Sequence, residues 1–292
     1  MNMPSRPLFW SVRRELWENR SIYLAPLIVA AIVLFATMMS NIGLPRRMRN
    51  LPTLEPAKQH AAIVRPFSLA PAPIMLTAFL VGFFYSLDAL YGERRDRSIL
   101  FWKSLPVSDR STVLSKVSIP LVVLPLIAFI LSVIVQLILL FEGTFILSAS
   151  GVGAGRLWAE FSFFANLLIM IYSLTIHVVW FLPIHGWLLL ISAWARRATL
   201  LWAVLPLLAV AAVEKIVLNS TAFLHMLRYR FVGALAEGFT FNPATPHAVD
   251  FEHLSQLTPI RFLTSAGLWV GLIFAALSIA AAVRLRRNRE PI

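Results

Sequence analysis

Residues Tyr91–Lys116 read YGERRDRSILFWKSLPVSDRSTVLSK, a charged segment between two long apolar runs that we call the charged island. The island carries six of the 26 Lys and Arg residues and three of the 14 Asp and Glu residues of the chain. Phe101, Trp102 and the pair Leu105-Pro106 lie among those charges. Aromatic anchors ringed by charges are typical of protein-binding hot spots. We therefore expect the island to dock a partner protein.

The composition around the island is that of a membrane protein. Of 292 residues, 59% are hydrophobic and 14% are charged, and the mean hydropathy is +0.76. Soluble domains average about half apolar and about a quarter charged residues. The net charge of +12 raises the possibility of nucleic-acid binding, but arginine-rich flanks of membrane spans explain it better. The absence of cysteine excludes disulfides, thiolate metal sites and a cysteine nucleophile.

Six apolar runs predict an all-α fold with six transmembrane helices in one membrane domain over residues 1–292. Each run approaches or exceeds the roughly 20 residues that a helix needs to cross a bilayer. The predicted spans are residues 21–43, 66–90, 117–141, 163–195, 198–218 and 262–283. The fourth run is also long enough for two short spans broken at Pro183–Gly186, which would reverse everything after it.

Charge asymmetry favours six spans. With a cytoplasmic N-terminus, 16 of the 26 Lys and Arg residues lie in cytoplasmic segments, among them the charged island. A seventh span would move the cluster Arg284–Arg289 outside. We therefore predict a multi-pass protein of the cell inner (cytoplasmic) membrane with both termini in the cytoplasm. Arg46, Arg47 and Arg49 then lie outside, as an exception to the rule.

The N-terminal segment of residues 1–20 is predicted to be an amphipathic helix in the lipid headgroup layer. Leu8, Phe9, Val12 and Leu16 recur at helical spacing. The residues expected at the interface are Trp10, Arg13, Arg14, Glu15 and Trp17. The alternative is an ordinary cytoplasmic lead-in to the first span.

Residues 219–261, directly after the fifth span, form the largest predicted extracytoplasmic region, with a helix-like run over Thr221–Phe239. Glu214 precedes this region at the end of a short apolar run. Its carboxylate either reaches the outer interface or faces a cavity between subunits, where it would gate or contact a substrate.

The sequence offers no catalytic motif that would make the chain an enzyme by itself. It contains no GxxxxGK[ST] phosphate loop, HExxH or GxSxG. His177 and His185 share a helix face, but two histidines without a carboxylate make a weak metal site. We interpret them as packing or hydrogen-bonding residues and expect no metal or other cofactor on this chain.

The island and several other segments resemble permease subunits of the ABC-2-type exporter family. The matching segments are Glu93–Ser98 (ERRDRS), Trp102–Ser108 (WKSLPVS), Ser115-Lys116, Val12–Asn19 (VRRELWEN), Leu182–Arg197 and Leu205–Glu214. Together they cover most of the chain apart from the outer loops. The resemblance implies an assembly of two permease subunits, expected to be a homodimer, and two separate ATP-binding subunits that carry ATP and Mg²⁺.

In that family the N-terminal helix and the loop after the second span contact the ATPase. The resemblance thus implies coupling roles for Glu93, Arg94, Arg95, Asp96, Arg97, Phe101, Trp102, Leu105 and Pro106. Two other readings of the sequence remain open: a non-transporting membrane anchor or assembly factor that recruits a cytoplasmic partner, and an ion-coupled secondary transporter. The latter predicts ionisable residues at mid-membrane and inverted repeats, and neither is visible in the sequence.

Overall fold

Long apolar runs with few helix-breaking residues fold into helices, and helices account for nearly all of the described chain. The computed structural model describes residues 7–53, 55–99, 108–240 and 254–288. Short 3₁₀ turns occupy Leu51–Thr53 and Leu254–Gln256, and a π-helical turn occupies Ile119–Val123. The α-helices are α1 (Pro7–Glu18), α2 (Ser21–Asn41), α3 (Leu44–Asn50), α4 (Pro56–Ser68), α5 (Pro71–Asp88), α6 (Tyr91–Arg95), α7 (Asp109–Ser118), α8 (Leu124–Ala149), α9 (Gly155–Glu160), α10 (Phe163–Trp194), α11 (Thr199–Leu218), α12 (Ala222–Gly238), α13 (Pro259–Thr264) and α14 (Ala266–Asn288).

Six helical segments of the described chain are long and apolar enough to cross a membrane, which confirms the predicted number and the all-helical class of this multi-pass membrane protein. They are Ser21–Asn41, Lys58–Arg95, Asp109–Ala149, Gly155–Trp194, Thr199–Leu218 and Ala266–Asn288. The second and third extend past the predicted spans, because helical structure continues into flanking residues that are too polar for the bilayer core.

The fourth apolar run is one helix and not two short spans. Helix α10 continues from Phe163 to Trp194 with the buried Pro183 inside it. A proline within a helix removes one backbone hydrogen bond and bends the axis, but the flanking turns and neighbouring helices hold the remainder together. The alternative of a break at Pro183–Gly186 is therefore not what the chain adopts.

Small residues bring α10 and α14 close together. Gly186 of α10 packs on Ala275 and Ser278 of α14, and a Cβ on Gly186 would lie 3.3 Å from the Ala275 carbonyl oxygen. Close backbone approach at small residues is a general way for helices to associate in membranes. The largest apolar core lies beside this pair, where α2, α5 and α8 bury residues such as Ile22, Ile74 and Leu124.

The bundle has two ends that differ in composition. Helix α1, the end of α5 with α6, the start of α7 and the end of α14 meet at one end, the N-terminal pole, through side-chain contacts. The connections with α3, α4, α9, α12 and α13 lie at the other end, the opposite pole. The described N- and C-terminal helical segments therefore reach the same end of the bundle.

Helix α11 is the least enclosed of the long helices, with only Ala203 buried. Left-handed residues flank it on both sides, Ala198 with φ of 49° and Asn219 with φ of 46°. Beyond Asn219 the chain turns back as α12, the helix predicted over Thr221–Phe239. Arg230 of α12 anchors this return by donating hydrogen bonds to the carbonyl oxygens of Trp180 (3.1 Å) and Gly267 (2.6 Å).

Candidate functional site

Charged side chains from four separate segments meet at the N-terminal pole, in a group that we call the ionic cluster. Three are cations and three are anions, so their formal charges balance. The members are Arg14 and Glu15 on α1, Glu93 on α6, Asp109 and Lys116 on α7, and Arg286 on α14.

Lys116 lies at the centre of the ionic cluster. Its Nζ is 3.0 Å from Oε1 of Glu15 and 3.2 Å from Oε1 of Glu93. The other carboxylate oxygen of Glu93 is 3.2 Å from Nη2 of Arg286, whose Nη1 bonds to Asp109. The cluster thus joins α1, the charged island and the last helix, although Glu93 and Arg286 are 193 residues apart in sequence.

Water has little access to the centre of this cluster. The exposed fraction is 1% for Glu15 and 3% for Lys116, and Glu93 and Arg286 are also buried. Removing an ion from water costs several kcal/mol unless it is paired and hydrogen-bonded. Full pairing is therefore a condition for these charges to be buried at all.

The surroundings of Glu15 favour its charged form. Its second oxygen accepts a 2.7 Å hydrogen bond from the Tyr85 hydroxyl. Burial alone would raise the pKa of the Glu15 carboxyl, but the Lys116 ammonium, the Tyr85 hydroxyl and the Arg14 guanidinium outweigh burial and lower that pKa below its ordinary value of 4.5. Glu15 is thus a carboxylate at neutral pH.

The start of the charged island is clamped to the end of α10. The hydroxyl of Ser192 accepts hydrogen bonds from the backbone N–H groups of Leu90 (3.0 Å) and Tyr91 (2.9 Å). The buried Arg94 donates in return to the carbonyl oxygens of Ser192 (3.1 Å) and Ala195. These carbonyls belong to the end of a helix, where backbone acceptors lack partners within the helix and a cation is favourable.

The remaining charges of the island's start face outward. Arg95 is half exposed and pairs with Asp96 at 3.0 Å, and Asp88 lies 3.8 Å away. Arg97 is exposed and has a φ of 56°, which turns the chain sharply after α6. The structure thus divides the predicted coupling residues: Glu93 and Arg94 point into the protein, whereas Arg95, Asp96 and Arg97 face the surroundings. Phe101, Trp102, Leu105 and Pro106 lie outside the described residues.

Helix α1 has two chemically different faces. Trp10 and Trp17 are more than half exposed, and the guanidinium of Arg13 lies 5.3 Å and 4.7 Å from their ring centroids. Arg14 and Glu15 point the other way, into the ionic cluster. Of the five residues predicted at the membrane interface, only Trp10, Arg13 and Trp17 have the exposure that such contact needs.

The carboxylate of Glu214 caps a helix. It accepts hydrogen bonds from the backbone N–H groups of Ala222 and Phe223, both at 2.9 Å, at the start of α12. An acceptor at this position satisfies N–H groups that have no partner within the helix. The cap explains why a carboxylate lies in the last turns of the apolar α11. A gating role for Glu214 remains a prediction.

The two intramembrane histidines lie against aromatic side chains of α5 and α10. His177 contacts the rings of Phe79 (5.8 Å between centroids) and Phe181 (4.8 Å). Nδ1 of His185 lies 3.1 Å from the hydroxyl oxygen of Ser86. Within the described ranges, no three His, Asp or Glu side chains come together in a way that could hold a metal ion.

Asp109, Lys116 and Arg286 are not among the residues for which the sequence predicted a coupling role. One sequence signal points to their burial: Glu15 lies three residues after Val12 and seven after Leu8, within the apolar stripe of α1. A carboxylate in such a stripe requires a buried cation.

Comparisons of the chain with protein-family models, with curated proteins and with solved structures found no match.

Proposed function

We propose that the chain is the permease subunit of an ATP-driven exporter, and that it provides the substrate pathway across the membrane and couples to a separate ATP-binding subunit. The observation that carries this proposal is the ionic cluster. It connects the charged island, which resembles a coupling loop, to helices at both ends of the chain. A loop that only joined two spans would not need this buried connection.

The arrangement suits the transmission of force. A partner that pushes on the outward residues Arg95, Asp96 and Arg97 pushes on a segment held by Arg94 to α10 and by Glu93 to α7 and α14. Because the links are buried and charged, the connected helix ends resist separation and move together. Binding of ATP by the partner would in this way rock the spans between two openings.

The outward side of the pole has the chemistry to bind a protein. The guanidinium groups of Arg95 and Arg97 suit acidic groups on an ATPase surface, with which they form charge-assisted hydrogen bonds. Trp102, five residues after Arg97 in sequence, is the aromatic anchor that this proposal assigns to the island. The mostly exposed α11 supports a second copy of the permease as its neighbour in the membrane.

The test is purification of the tagged full-length chain from its native membranes, followed by identification of what co-purifies. We expect an ATP-binding subunit and vanadate-sensitive ATP hydrolysis in the purified assembly. Arg95→Glu and Trp102→Ala should insert normally and lose both by about tenfold. The control is Arg228→Glu, a charge reversal at an exposed arginine of α12, which should lose neither.

Retention of the ATPase and its turnover by both island variants would exclude the docking role. If the partner that co-purifies with the wild type neither binds nor hydrolyses ATP, and the island variants lose it, the membrane-anchor alternative is favoured. That alternative shares the island but needs no substrate pathway.

A further inference from the structure

Arg46, Arg47 and Arg49, the exception to the charge asymmetry, lie together on α3 at the opposite pole. Helix α3 is amphipathic, with Leu44 and Met48 buried against the bundle. The three arginines occupy its other sides, where Arg46 and Arg49 are exposed and Arg47 is half-buried. We call them the α3 arginine surface.

Two of these arginines are fixed at helix ends. Nη2 of Arg47 donates to the carbonyl and hydroxyl oxygens of Ser40 in the last turn of α2. Nη2 of Arg49 donates to the carbonyl oxygen of Ser150, just past α8, at 3.0 Å. These contacts use one nitrogen of each guanidinium, which carries five N–H donors in total. Most of the donors thus remain to bind a ligand.

Exposed apolar side chains and a tryptophan lie close to these guanidinium groups, as is typical where the apolar layer of a membrane ends. Ile42, four residues before Arg46, is 65% exposed, and Phe145, five residues before Ser150, is 74% exposed. The partly exposed Trp158 donates its Nε1–H to the Thr144 hydroxyl at 2.9 Å. Tryptophans of this amphipathic kind mark the level of the lipid headgroups.

Protein carboxylates do not neutralise this surface. Across the described ranges, no carboxylate lies within ion-pair distance of Arg46, Arg47 or Arg49. Glu55, six residues after Arg49, pairs instead with Lys58 at 2.9 Å, and Glu142 of α8 accepts a hydrogen bond from Asn41 at 2.9 Å. Within the described residues, the charge of these three arginines is therefore left for a ligand from outside the chain to balance.

We propose that the α3 arginine surface binds the phosphate of an anionic phospholipid headgroup in the leaflet at the opposite pole. A guanidinium matches phosphate oxygens with two parallel hydrogen bonds, and its charge adds attraction to an anionic leaflet. The level of the surface places it where headgroup phosphates lie. This site is independent of the permease proposal, because it depends only on the arginines of α3 and on their place at the opposite pole.

The experiment measures lipid binding to the purified full-length chain by native mass spectrometry and by thermal unfolding in detergent. Phosphatidylglycerol is the probe, phosphatidylcholine is the neutral comparison, and inorganic phosphate is the soluble one. We expect phosphatidylglycerol to bind at least tenfold more tightly than phosphatidylcholine. Arg46→Gln should weaken phosphatidylglycerol binding about fivefold, and the double variant Arg46→Gln/Arg49→Gln about 25-fold.

The design separates lipid binding from helix capping. In the described structure Arg46 makes no hydrogen bond or ion pair, so Arg46→Gln should leave the lipid-free unfolding midpoint unchanged. Arg228→Gln, which removes an exposed arginine of α12, should leave the affinity for phosphatidylglycerol unchanged.

Equal affinity of the wild type for the two lipids would overturn the proposal. So would unchanged phosphatidylglycerol binding by both variants, or equal weakening by Arg228→Gln. Stabilisation by millimolar inorganic phosphate equal to that by phosphatidylglycerol would also overturn it, because the surface would then be a site for a soluble anion.

Discussion

The two poles of the bundle use the same residue types in opposite ways. At the N-terminal pole three cations and three anions meet, four of them buried and two partly exposed, and each carboxylate has a cation within contact distance. At the opposite pole the α3 arginine surface has three cations, with no carboxylate near them in the described chain, and they remain at the surface. Charge that is balanced within the chain holds helices together, whereas charge left unbalanced at a membrane boundary attracts something outside it.

The largest effect that tests this difference between the poles is expected on substitution of Lys116. Lys116→Met removes the cation shared by Glu15 and Glu93 and leaves part of their buried negative charge uncompensated. We expect a loss of about 3–5 kcal/mol in stability, seen as a lower thermal unfolding midpoint in detergent. Lys58→Met is the matched control, because Lys58 pairs with Glu55 at an exposed site, where an ion pair contributes at most about 1 kcal/mol. Equal effects of the two substitutions would contradict the structural role of the cluster.

Acidification should weaken the N-terminal pole through Glu15. Because the folded state lowers the pKa of Glu15, its charged form stabilises the fold above the ordinary pKa of 4.5. That contribution is lost as the pH falls through 4.5 towards the lower pKa of the folded state. The midpoints of wild type and Glu15→Gln, measured from pH 7 to pH 4, should therefore differ most at pH 7 and converge below pH 4.5. A constant difference over this range would mean that Glu15 does not titrate as the structure predicts.

High salt should affect the two poles differently. It should weaken lipid binding at the opposite pole and change the stability of the lipid-free protein only slightly. At 1 M salt the screening length is about 3 Å, against about 10 Å at 0.1 M, so exposed charges interact weakly over distance whereas buried pairs are little affected. Raising NaCl from 0.1 M to 1 M should weaken phosphatidylglycerol binding several-fold, and should change the lipid-free stability by less than about 1 kcal/mol. A large salt-dependent loss of lipid-free stability would indicate that water and ions reach the ionic cluster.

The sequence was sufficient to predict the six spans, α1 and α12, but not the short helices α3, α4, α9 and α13 or the partners of the charges. Apolar runs of about 20 residues are a local signal, and they identified six spans and the α12 segment. The pairing of Arg286 with Glu93 joins residues 193 positions apart, and no local pattern encodes it. Glu93 and Arg94 look like their neighbours Arg95 and Asp96 in the sequence, because a five-residue helix is too short for its periodicity to show which side is buried.

The exception to the charge asymmetry has a similar explanation. Counting charges assigns Arg46, Arg47 and Arg49 to a side of the membrane but ignores what their guanidinium groups contact. In the structure, two of them satisfy carbonyl groups at the ends of α2 and α8. These hydrogen bonds give the α3 arginine surface a role in the fold, whichever side of the membrane it occupies.

The left-handed residues at the two ends of α11 have an energetic consequence. A left-handed backbone costs an L-residue roughly 1–2 kcal/mol, and somewhat less for asparagine. Ala198 and Asn219 therefore each carry a small conformational strain at the ends of α11. Return of Asn219 to right-handed torsions would add one residue to α11 and turn the following chain away from its path into α12. Such a change would separate Glu214 from the N–H groups of Ala222 and Phe223, and it would pull on α12, which Arg230 anchors to α10 and α14. The hydrogen bonds that hold α12 in place thus offset the conformational cost at Asn219.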